Sequence, residues 1–224
     1  MNKKQSEFFD ILGGHIKMVR GCYNVTSDAV WLAAFAACKK AKTVLDAGIG
    51  TGGVSLCLLH HNSNLQITGI DNSDEMLAEC AINTEINFRN MEILNKDIFN
   101  WRTARTFDLV VTNPPYFRGM ARAGGMHHNA DIYQWTRACL RRVRPHGYFA
   151  AIIDAAQMDK VIAALYDGNA GAIEIVPLFG MGKTVSAERV LIGAKLGAKS
   201  PTIIYAARDI NDEKVLRDGL TLEL

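Results

Sequence analysis

The chain has 224 residues, of which 49% are hydrophobic and 21% charged, and its formal net charge is +2. This balance predicts a soluble globular protein with a sizeable core, and the small net charge gives no whole-chain reason to expect a polyanionic partner. No apolar run reaches the roughly 18 residues that cross a bilayer, and the first residues lack the apolar stretch of a secretory signal. We therefore expect a cytoplasmic protein without a membrane partner.

The five cysteines are scattered, with no C-x-x-C pair and no histidine at metal-ligand spacing. Such a set predicts reduced thiols in a reducing compartment, and no zinc or other metal site. The cysteines are Cys22, Cys38, Cys57, Cys80 and Cys139.

The predicted elements begin with a short N-terminal helical extension of about 40 residues, in which Ser27–Cys38 forms a helix capped by Ser27 or Thr26. Short apolar runs then alternate with stretches of helical spacing, which predicts βαβ units and a mostly parallel α/β sheet. The predicted strands are Thr43–Ala47, Gln66–Ile70, Glu92–Asn95, Phe107–Thr112, Tyr148–Asp154, Ala172–Leu178 and Arg189–Leu196, and the helices between them are Gly53–His60, Asp74–Ile86 and Ala130–Val143.

This alternation breaks near the end of the chain, where no amphipathic helix is predicted between Pro177 and Lys199. We expect Arg189–Leu196 and Thr202–Ala206 to form a terminal hairpin, or a strand and a short tail. The sheet should therefore carry an antiparallel terminal strand.

A glycine-rich turn follows the first predicted strand, in the stretch VLDAGIGTGG. Glycines let the backbone turn tightly and a ligand approach closely, and ligands of open parallel sheets bind at the carboxyl ends of strands. The pattern G-x-G-x-G differs from the dinucleotide pattern G-x-G-x-x-G. We predict that Gly48 and Gly50 bind a cofactor and that Asp46 helps to hold a cationic group. The alternative is an ordinary strand-to-helix turn.

Acidic residues follow the next two predicted strands. Asp71, with Asn72 beside it, lies about 20 residues beyond the glycines, where a carboxylate can accept hydrogen bonds from both ribose hydroxyls of a nucleoside. The alternative for Asp71 is a cap of the helix that starts at Ser73. After the third strand, Asp97 can accept from an adenine amino group, with Ile98 against the ring; the alternative is an acidic surface loop.

The fourth predicted strand ends in the motif Asn113-Pro114-Pro115-Tyr116. The prolines stiffen the turn, and Pro114 offers a carbonyl but no amide proton. The Asn113 side-chain oxygen and the Pro114 carbonyl are two acceptors that suit an attacking –NH2 group, while Tyr116 offers a planar face for a base or an amide. We predict catalysis at Asn113, Pro114 and Tyr116. The alternative is a proline-terminated strand with a packed tyrosine.

Together these motifs resemble the class I methyltransferases that methylate amino groups, over about residues 28–154. The segment HIKMVRGCYNVTSDAVWLAAF, followed by DAGIGTGG and later by NPPYF, resembles the bacterial tRNA(Val) adenine-N6 methyltransferase family. Ile49 and Gly53 depart from the family's pattern, and so does much of the segment after Phe117. The resemblance implies a Rossmann-like three-layer α/β/α sandwich, a single domain over residues 1–224, and S-adenosyl-L-methionine as the cofactor.

The resemblance also implies roles for individual residues. Asp28 stands in the helix expected to lie over the cofactor, and Asn113 and Tyr116 act on the target nitrogen. The residues predicted to bind the cofactor are Asp28, Asp46, Gly48, Gly50, Asp71, Asn72, Asp97, Ile98 and Asn113.

The function that the resemblance implies is methylation of the exocyclic N6 of adenine in RNA, with tRNA near the anticodon as the expected partner. Six arginines against one aspartate between positions 118 and 144 favour a phosphate-rich substrate, although Arg137, Arg141 and Arg144 share one helical face that can simply be solvated. A protein glutamine-amide methyltransferase, a DNA adenine enzyme and a non-catalytic module remain alternatives, and no oligomeric state is predicted. The predicted substrate-binding residues are Tyr116, Phe117, Arg118, Arg122, His127 and His128.

Overall fold

The computed structural model describes residues 7–21, 25–114, 131–180, 186–222 and 224. Its first elements form an antiparallel hairpin of β1 (Phe8–Ile11) and β2 (Ile16–Val19). Helix α1 (Ser27–Ala37) follows, and its residues from Asp28 to Ala36 are buried. The extension is thus part strand and part helix, where the sequence predicted a helical one. Two four-residue strands carry too short an alternation to be recognised by pattern.

Among the described residues, nine strands form the central sheet. They are β3 (Thr43–Ala47), β4 (Gln66–Asp71), β5 (Glu92–Asn95), β6 (Phe107–Thr112), β7 (Val143–Asp154), β8 (Ala170–Phe179), β9 (Arg189–Leu196), β10 (Ile203–Ile204) and β11 (Arg208–Asp209). Their order is β10-β8-β9-β7-β6-β3-β4-β5, with β11 also pairing with β8. Strand β9 is antiparallel to both of its neighbours, β7 and β8, whereas the other pairings described in this sheet are parallel.

The antiparallel strand is present as predicted, but it lies inside the sheet and pairs differently. Strand β9 inserts between β7 and β8, and the segment after it, β10, pairs with β8 in parallel. The alternative of a hairpin between Arg189–Leu196 and Thr202–Ala206 was therefore wrong. All eight residues of β9 pair with β7 or β8. A strand with a neighbour on each edge satisfies more of its backbone hydrogen-bonding groups than an edge strand does.

Helices cover both faces of the sheet. The described helices after α1 are α2 (Gly53–His61), α3 (Asp74–Ile86), α4 (Ile132–Leu140), α5 (Met158–Asp167) and α6 (Glu213–Leu216). Successive residues of β3 face opposite sides, since Val44 packs in the core shared with α1 and α2, and Leu45 packs in the core shared with α4 and α5. The predicted elements do not include α5, although its buried Val161, Ala164 and Leu165 have helical spacing.

The C-terminal segment explains why α1 is apolar around its whole circumference. The Trp31 indole nitrogen donates a hydrogen bond to the Ile210 carbonyl at 2.8 Å, and the Leu222 amide donates to the Ala34 carbonyl at 3.2 Å. The helix is thus covered by the sheet on one side and by residues 210–222 on the other. In the part of the chain that the structure describes, no helix combines the length and apolarity needed to span a membrane.

Candidate active site

The predicted site residues come from neighbouring parallel strands. Strand β3 lies between β4 and β6, with Asp46 in register with Gly69 on one side and Val111 on the other. Strand β5 adjoins β4, with Asp71 opposite Asn95. Because parallel strands end at one edge of the sheet, the segments that follow β3, β4, β5 and β6 all emerge at this carboxyl edge.

The glycine turn is held by the neighbouring strand. The amides of Gly48 and Ile49 both donate to the Ile70 carbonyl at 2.9 Å. Gly48 has a φ of +75° and Gly50 a φ of +55°, conformations that favour glycine. A Cβ built on Gly50 would meet no heavy atom of the described residues within 4 Å. The backbone of Gly50 therefore lies bare among these residues, which suits close approach of a ligand.

Asp46 is a buried carboxylate at the base of this turn. It is 1% exposed, and the Ser55 hydroxyl donates to its Oδ2 at 2.7 Å. Burial raises the pKa of Asp46 to about 7, against the lowering effect of the Ser55 hydrogen bond, and the nearby Asp71 charge raises it further. A cation placed beside Asp46 would stabilise its charged form, so the group fits the predicted cationic ligand.

Asp71 joins the glycine turn to the start of α3. Its Oδ2 accepts from the Gly50 amide at 3.0 Å and its Oδ1 accepts from the Ser73 amide at 3.0 Å. The Ser73 hydroxyl in turn caps α3 by accepting from the Met76 amide at 3.3 Å. Each carboxylate oxygen of Asp71 has a second lone pair for a ligand hydroxyl. Asn72 is exposed beside it.

The residues after β5 differ in how much surface they offer. Asp97 is half-buried, and its carboxylate accepts from the Phe99 amide and from the Asn100 side-chain amide, both at 2.9 Å. Ile98 is 2% exposed and packs in the core beneath α4 and α5. Because the Ile98 side chain leaves little surface for a ligand ring, Asp97 is better placed than Ile98 to contact a ligand.

Asp28 has a protein partner. It is 4% exposed, and Arg189 at the start of β9 donates to its Oδ2 from Nε at 3.1 Å. The first turn of α1 nevertheless lies against the start of α2, immediately after the glycine turn, since a Cβ built on Gly53 would be 3.4 Å from the Ala29 Cβ.

The end of β6 is tied to the end of β3 by a side-chain hydroxyl. Thr112, immediately before Asn113, donates from Oγ1 to the Ala47 carbonyl at 2.8 Å. The indole Nε1 of Trp135 in α4 donates to the same Oγ1 at 3.0 Å. Asn113 is half-buried and Pro114 is buried. The remaining predicted residues, Tyr116, Phe117, Arg118, Arg122, His127 and His128, lie outside the described residues.

Sequence reasoning assigned no site role to Trp135 or Thr51. Trp135 belongs to the apolar face of a predicted helix, which indicates a core position. Thr51 lies within the glycine turn, and its buried Oγ1 has no hydrogen-bond partner among the described residues. The only feature of the sequence that could have indicated Thr51 is its place in the glycine turn.

Among the described residues, no group of three His, Cys, Asp or Glu side chains could hold a metal ion.

Four of the six arginines counted in the sequence lie away from this edge. Arg144 pairs through Nε with Asp108 Oδ1 at 2.6 Å, each being the second residue of its strand. Arg142 donates to the Thr103 carbonyl at 2.9 Å and to the Trp101 carbonyl. Arg137 and Arg141 lie at the C-terminal end of α4. These arginines therefore surround the amino ends of β6 and β7, opposite Asn113.

Comparison with known proteins places this geometry in a family. Residues 27–142 match the family described as the methyltransferase small domain. A tRNA1(Val) (adenine(37)-N6)-methyltransferase of Phocaeicola vulgatus is 26% identical over 214 residues, 92% of this chain and 85% of its own length. A protein of the same name from Glaesserella parasuis is 28% identical over 146 residues, 58% of this chain and 58% of its own length. The release factor glutamine methyltransferase of Shewanella oneidensis is 29% identical over 170 residues, 69% of this chain and 58% of its own length.

Solved structures share the fold. A predicted O-methyltransferase of Agrobacterium tumefaciens has a TM-score of 0.67 at 20% identity, over 87% of this chain and 97% of that one. The 16S rRNA N2 G1207 methyltransferase of T. thermophilus, solved in complex with AdoMet and guanosine, has a TM-score of 0.58 at 18% identity, over 81% of this chain and 47% of that one. The predicted class I, Rossmann-like fold is confirmed. The chain is an S-adenosyl-L-methionine-dependent methyltransferase and belongs to the methyltransferase small domain family.

Proposed function

We propose that this methyltransferase methylates the exocyclic N6 of adenine in RNA, with a tRNA base near the anticodon as the target. The observation that carries the proposal is the position of Asn113 and Pro114. They follow β6 at the carboxyl edge of the sheet, one strand away from Asp46 and the glycine turn. The proposal keeps the predicted cytoplasmic location and the single domain over residues 1–224.

The cofactor would be held at the carboxyl ends of β3, β4 and β5. Asp46 would face its ammonium group, directly or through water, and Asp71 would accept from its ribose hydroxyls. The bare backbone at Gly48 and Gly50 would let it approach closely. Asp97 would accept from its adenine amino group, and Asp28 and Asn72 are the other predicted contacts that this proposal keeps. The chemistry that the cofactor supplies is a methyl group already activated on a sulfonium.

The protein's own contribution is to orient the target nitrogen. An adenine amino group is a poor nucleophile, because its lone pair is delocalised into the ring. Acceptors at the Asn113 side chain and the Pro114 carbonyl would bind its two protons and stabilise the positive charge that develops on the nitrogen. Tyr116 or Phe117 would stack on the base, which is worth roughly 1–3 kcal/mol. A paired base would first have to be extruded.

Relatives support RNA over protein as the substrate. The Phocaeicola vulgatus protein, whose name gives adenine 37 of a tRNA, aligns with 92% of this chain, whereas the release factor enzyme aligns with 69%. The second candidate, methylation of a protein glutamine amide, is favoured by the 29% identity of that release factor enzyme. An amide –NH2 would make the same two hydrogen bonds to Asn113 and Pro114.

The deciding experiment is transfer of a labelled methyl group from S-adenosyl-L-methionine to purified bacterial tRNA, ribosomal RNA, DNA and release factors in parallel. We expect label in tRNA, recovered as N6-methyladenosine after digestion to nucleosides. Label confined to a release factor would replace this proposal with the glutamine-amide function, and label in none of the four would contradict both.

Replacing Asn113 tests the proposed catalytic residue. Asn113→Ala should abolish methyl transfer while cofactor affinity stays near wild type, because the deleted acceptor acts on the target nitrogen. Turnover and calorimetric affinity are the two measurements. A matched control is Asn62→Ala at the end of α2, whose side chain accepts from the Asn64 amide at 3.0 Å. Wild-type turnover in Asn113→Ala would mean that Asn113 has no catalytic role and only ends strand β6.

A further inference from the structure

The hydroxyl of Thr112 lies at the junction of the two halves of the site. It is 1% exposed, so bulk water cannot replace its partners. Its single proton is committed to the Ala47 carbonyl at 2.8 Å, and it accepts from Trp135 Nε1 at 3.0 Å. Ala47 precedes the first glycine of the glycine turn, and Thr112 precedes Asn113. The two hydrogen bonds therefore connect the glycine turn, the end of β6 and α4.

The Trp135 ring occupies the space beside the glycine turn. A Cβ built on Gly48 would lie 3.2 Å from its Cζ2 and 3.4 Å from its Cη2. The ring also meets Phe99 edge to face, with centroids 5.8 Å apart and an interplanar angle of 77°. Phe99 follows the predicted adenine-binding residues Asp97 and Ile98. The half-buried indole thus reaches from the cofactor turn to the segment after β5.

We propose that Trp135 forms a wall of the cofactor site and, through Thr112, is the positioning residue that holds Asn113 relative to the glycine turn. The second half of this proposal rests on the role proposed for Asn113. An indole N–H held on a buried hydroxyl restricts both the ring and the strand end, and small displacements of a reacting group are costly in rate. A residue that only filled the core would neither sense the cofactor nor affect the transfer step.

The first test uses intrinsic fluorescence. The chain has three tryptophans, of which Trp31 is 0% and Trp101 is 9% exposed. Titration with S-adenosyl-L-methionine should change the emission of the wild type and of Trp101→Phe but not that of Trp135→Phe. A fluorescence change that persists in Trp135→Phe would contradict the proposal that Trp135 forms a wall of the cofactor site. This readout needs no RNA, so it stands whatever the substrate proves to be.

The second test removes the hydrogen bonds, and its Thr112→Val variant also keeps the shape of the side chain. Thr112→Val deletes both hydrogen bonds of the hydroxyl, and Trp135→Phe deletes the one from the indole. Each variant should lower the turnover number by at least roughly three- to tenfold, the factor for one net hydrogen bond. Cofactor affinity should stay within about threefold in Thr112→Val. Thr112→Ser keeps the hydroxyl and should restore turnover to near wild type, which a merely structural role would not require.

The double variant decides whether the two residues act as one unit. Thr112→Val with Trp135→Phe should be no slower than the slower single variant, because residues that act together are non-additive. Multiplied losses, or equal turnover for Thr112→Val and Thr112→Ser, would overturn the positioning role. Should Trp135→Phe fail to fold, the Val and Ser variants of Thr112 still decide it. A wild type that transfers to no RNA but passes the fluorescence test would contradict the RNA proposal alone.

Discussion

At the scale of single residues, the charge state of Asp46 should control cofactor affinity. Its carboxyl group is buried, which raises its pKa to about 7. Below that pH the group is protonated and neutral, so it no longer attracts an ammonium group. Above that pH it is charged and a bound cation stabilises it. A proton and the ammonium group of the cofactor therefore compete for the Asp46 carboxylate.

Cofactor affinity should consequently fall as the pH drops below about 7, by up to about tenfold per pH unit, and level off above it. Isothermal calorimetry with S-adenosyl-L-methionine between about pH 5.5 and 8 measures this. Asp46→Asn is the matched control, since it keeps the shape and has no charge to titrate; it should bind more weakly with a flat profile. An equally flat profile in the wild type would remove Asp46 from the cofactor site.

Asp71 combines a structural and a binding role, because its carboxylate already holds the amides of Gly50 and Ser73. Asp71→Ala should weaken cofactor binding by roughly 1–3 kcal/mol, the scale of charge-assisted hydrogen bonds. Asp71→Asn, which keeps one acceptor oxygen, should lose less. Calorimetry on variants shown to be folded by circular dichroism provides the comparison. Unchanged affinity in a folded Asp71→Ala protein would rule out the ribose role.

At the scale of elements, the N-terminal hairpin is attached to α3 by two asparagines one helical turn apart. Asn83 accepts from the Val19 amide at 2.9 Å and donates to the Thr51 carbonyl at 3.0 Å. Asn87 accepts from the Lys17 amide at 2.9 Å and donates to the Lys17 carbonyl at 2.6 Å. Asn83 is 0% exposed. One buried side chain therefore connects the hairpin with the glycine turn.

Removing that side chain should destabilise the protein more than removing its neighbour. Asn83→Ala leaves the half-buried Val19 amide and the buried Thr51 carbonyl without this partner, and it should lower the free energy of unfolding by about 1–3 kcal/mol. Asn87→Ala exposes its partners to water and should cost about 0.5–1.5 kcal/mol. Urea unfolding of both variants measures the difference. Equal losses would mean that the connection to Thr51 contributes nothing specific.

At the scale of the whole molecule, the four described arginines of the six counted in the sequence lie away from the candidate site. Arg137, Arg141, Arg142 and Arg144 lie around the amino ends of β6 and β7, and Arg142 and Arg144 are bound to protein carbonyls and to Asp108. A substrate at Asn113 meets the opposite edge. The sequence count of six arginines therefore overstates the charge available near the target nitrogen, and the RNA proposal depends on Arg118 and Arg122.

The position of these four arginines predicts opposite results for two sets of variants. Arg118→Ala with Arg122→Ala should weaken tRNA binding and flatten its salt dependence, by about one unit of log–log slope for each phosphate that is no longer bound. Arg141→Ala, exposed at the far edge, should leave the slope unchanged. Binding measured across a salt series with fixed cofactor tests both. The same slope in the double variant as in the wild type would favour a protein amide as substrate.

The sequence alone was sufficient for the parallel strands β3 to β6 and for the edge of the sheet at which the candidate site lies. Strand β3, the glycine turn and the end of β6 are local patterns: apolar runs set the strands, and glycine or proline ends them. Parallel connectivity then brings Asp46, Asp71 and Asn113 to one edge without further information, because every strand of a βαβ unit enters at one edge and leaves at the other.

Only the tertiary structure decided which side chains meet across long separations. The Asn83 contact with Val19, the Trp135 contact with Thr112 and the Asp28 pair with Arg189 join residues 64, 23 and 161 positions apart. The insertion of β9 and the position of Arg142 and Arg144 at the amino ends of β6 and β7 are of the same kind. Periodicity reports which face of an element is buried, but not which element covers it, since that depends on how all the layers pack together.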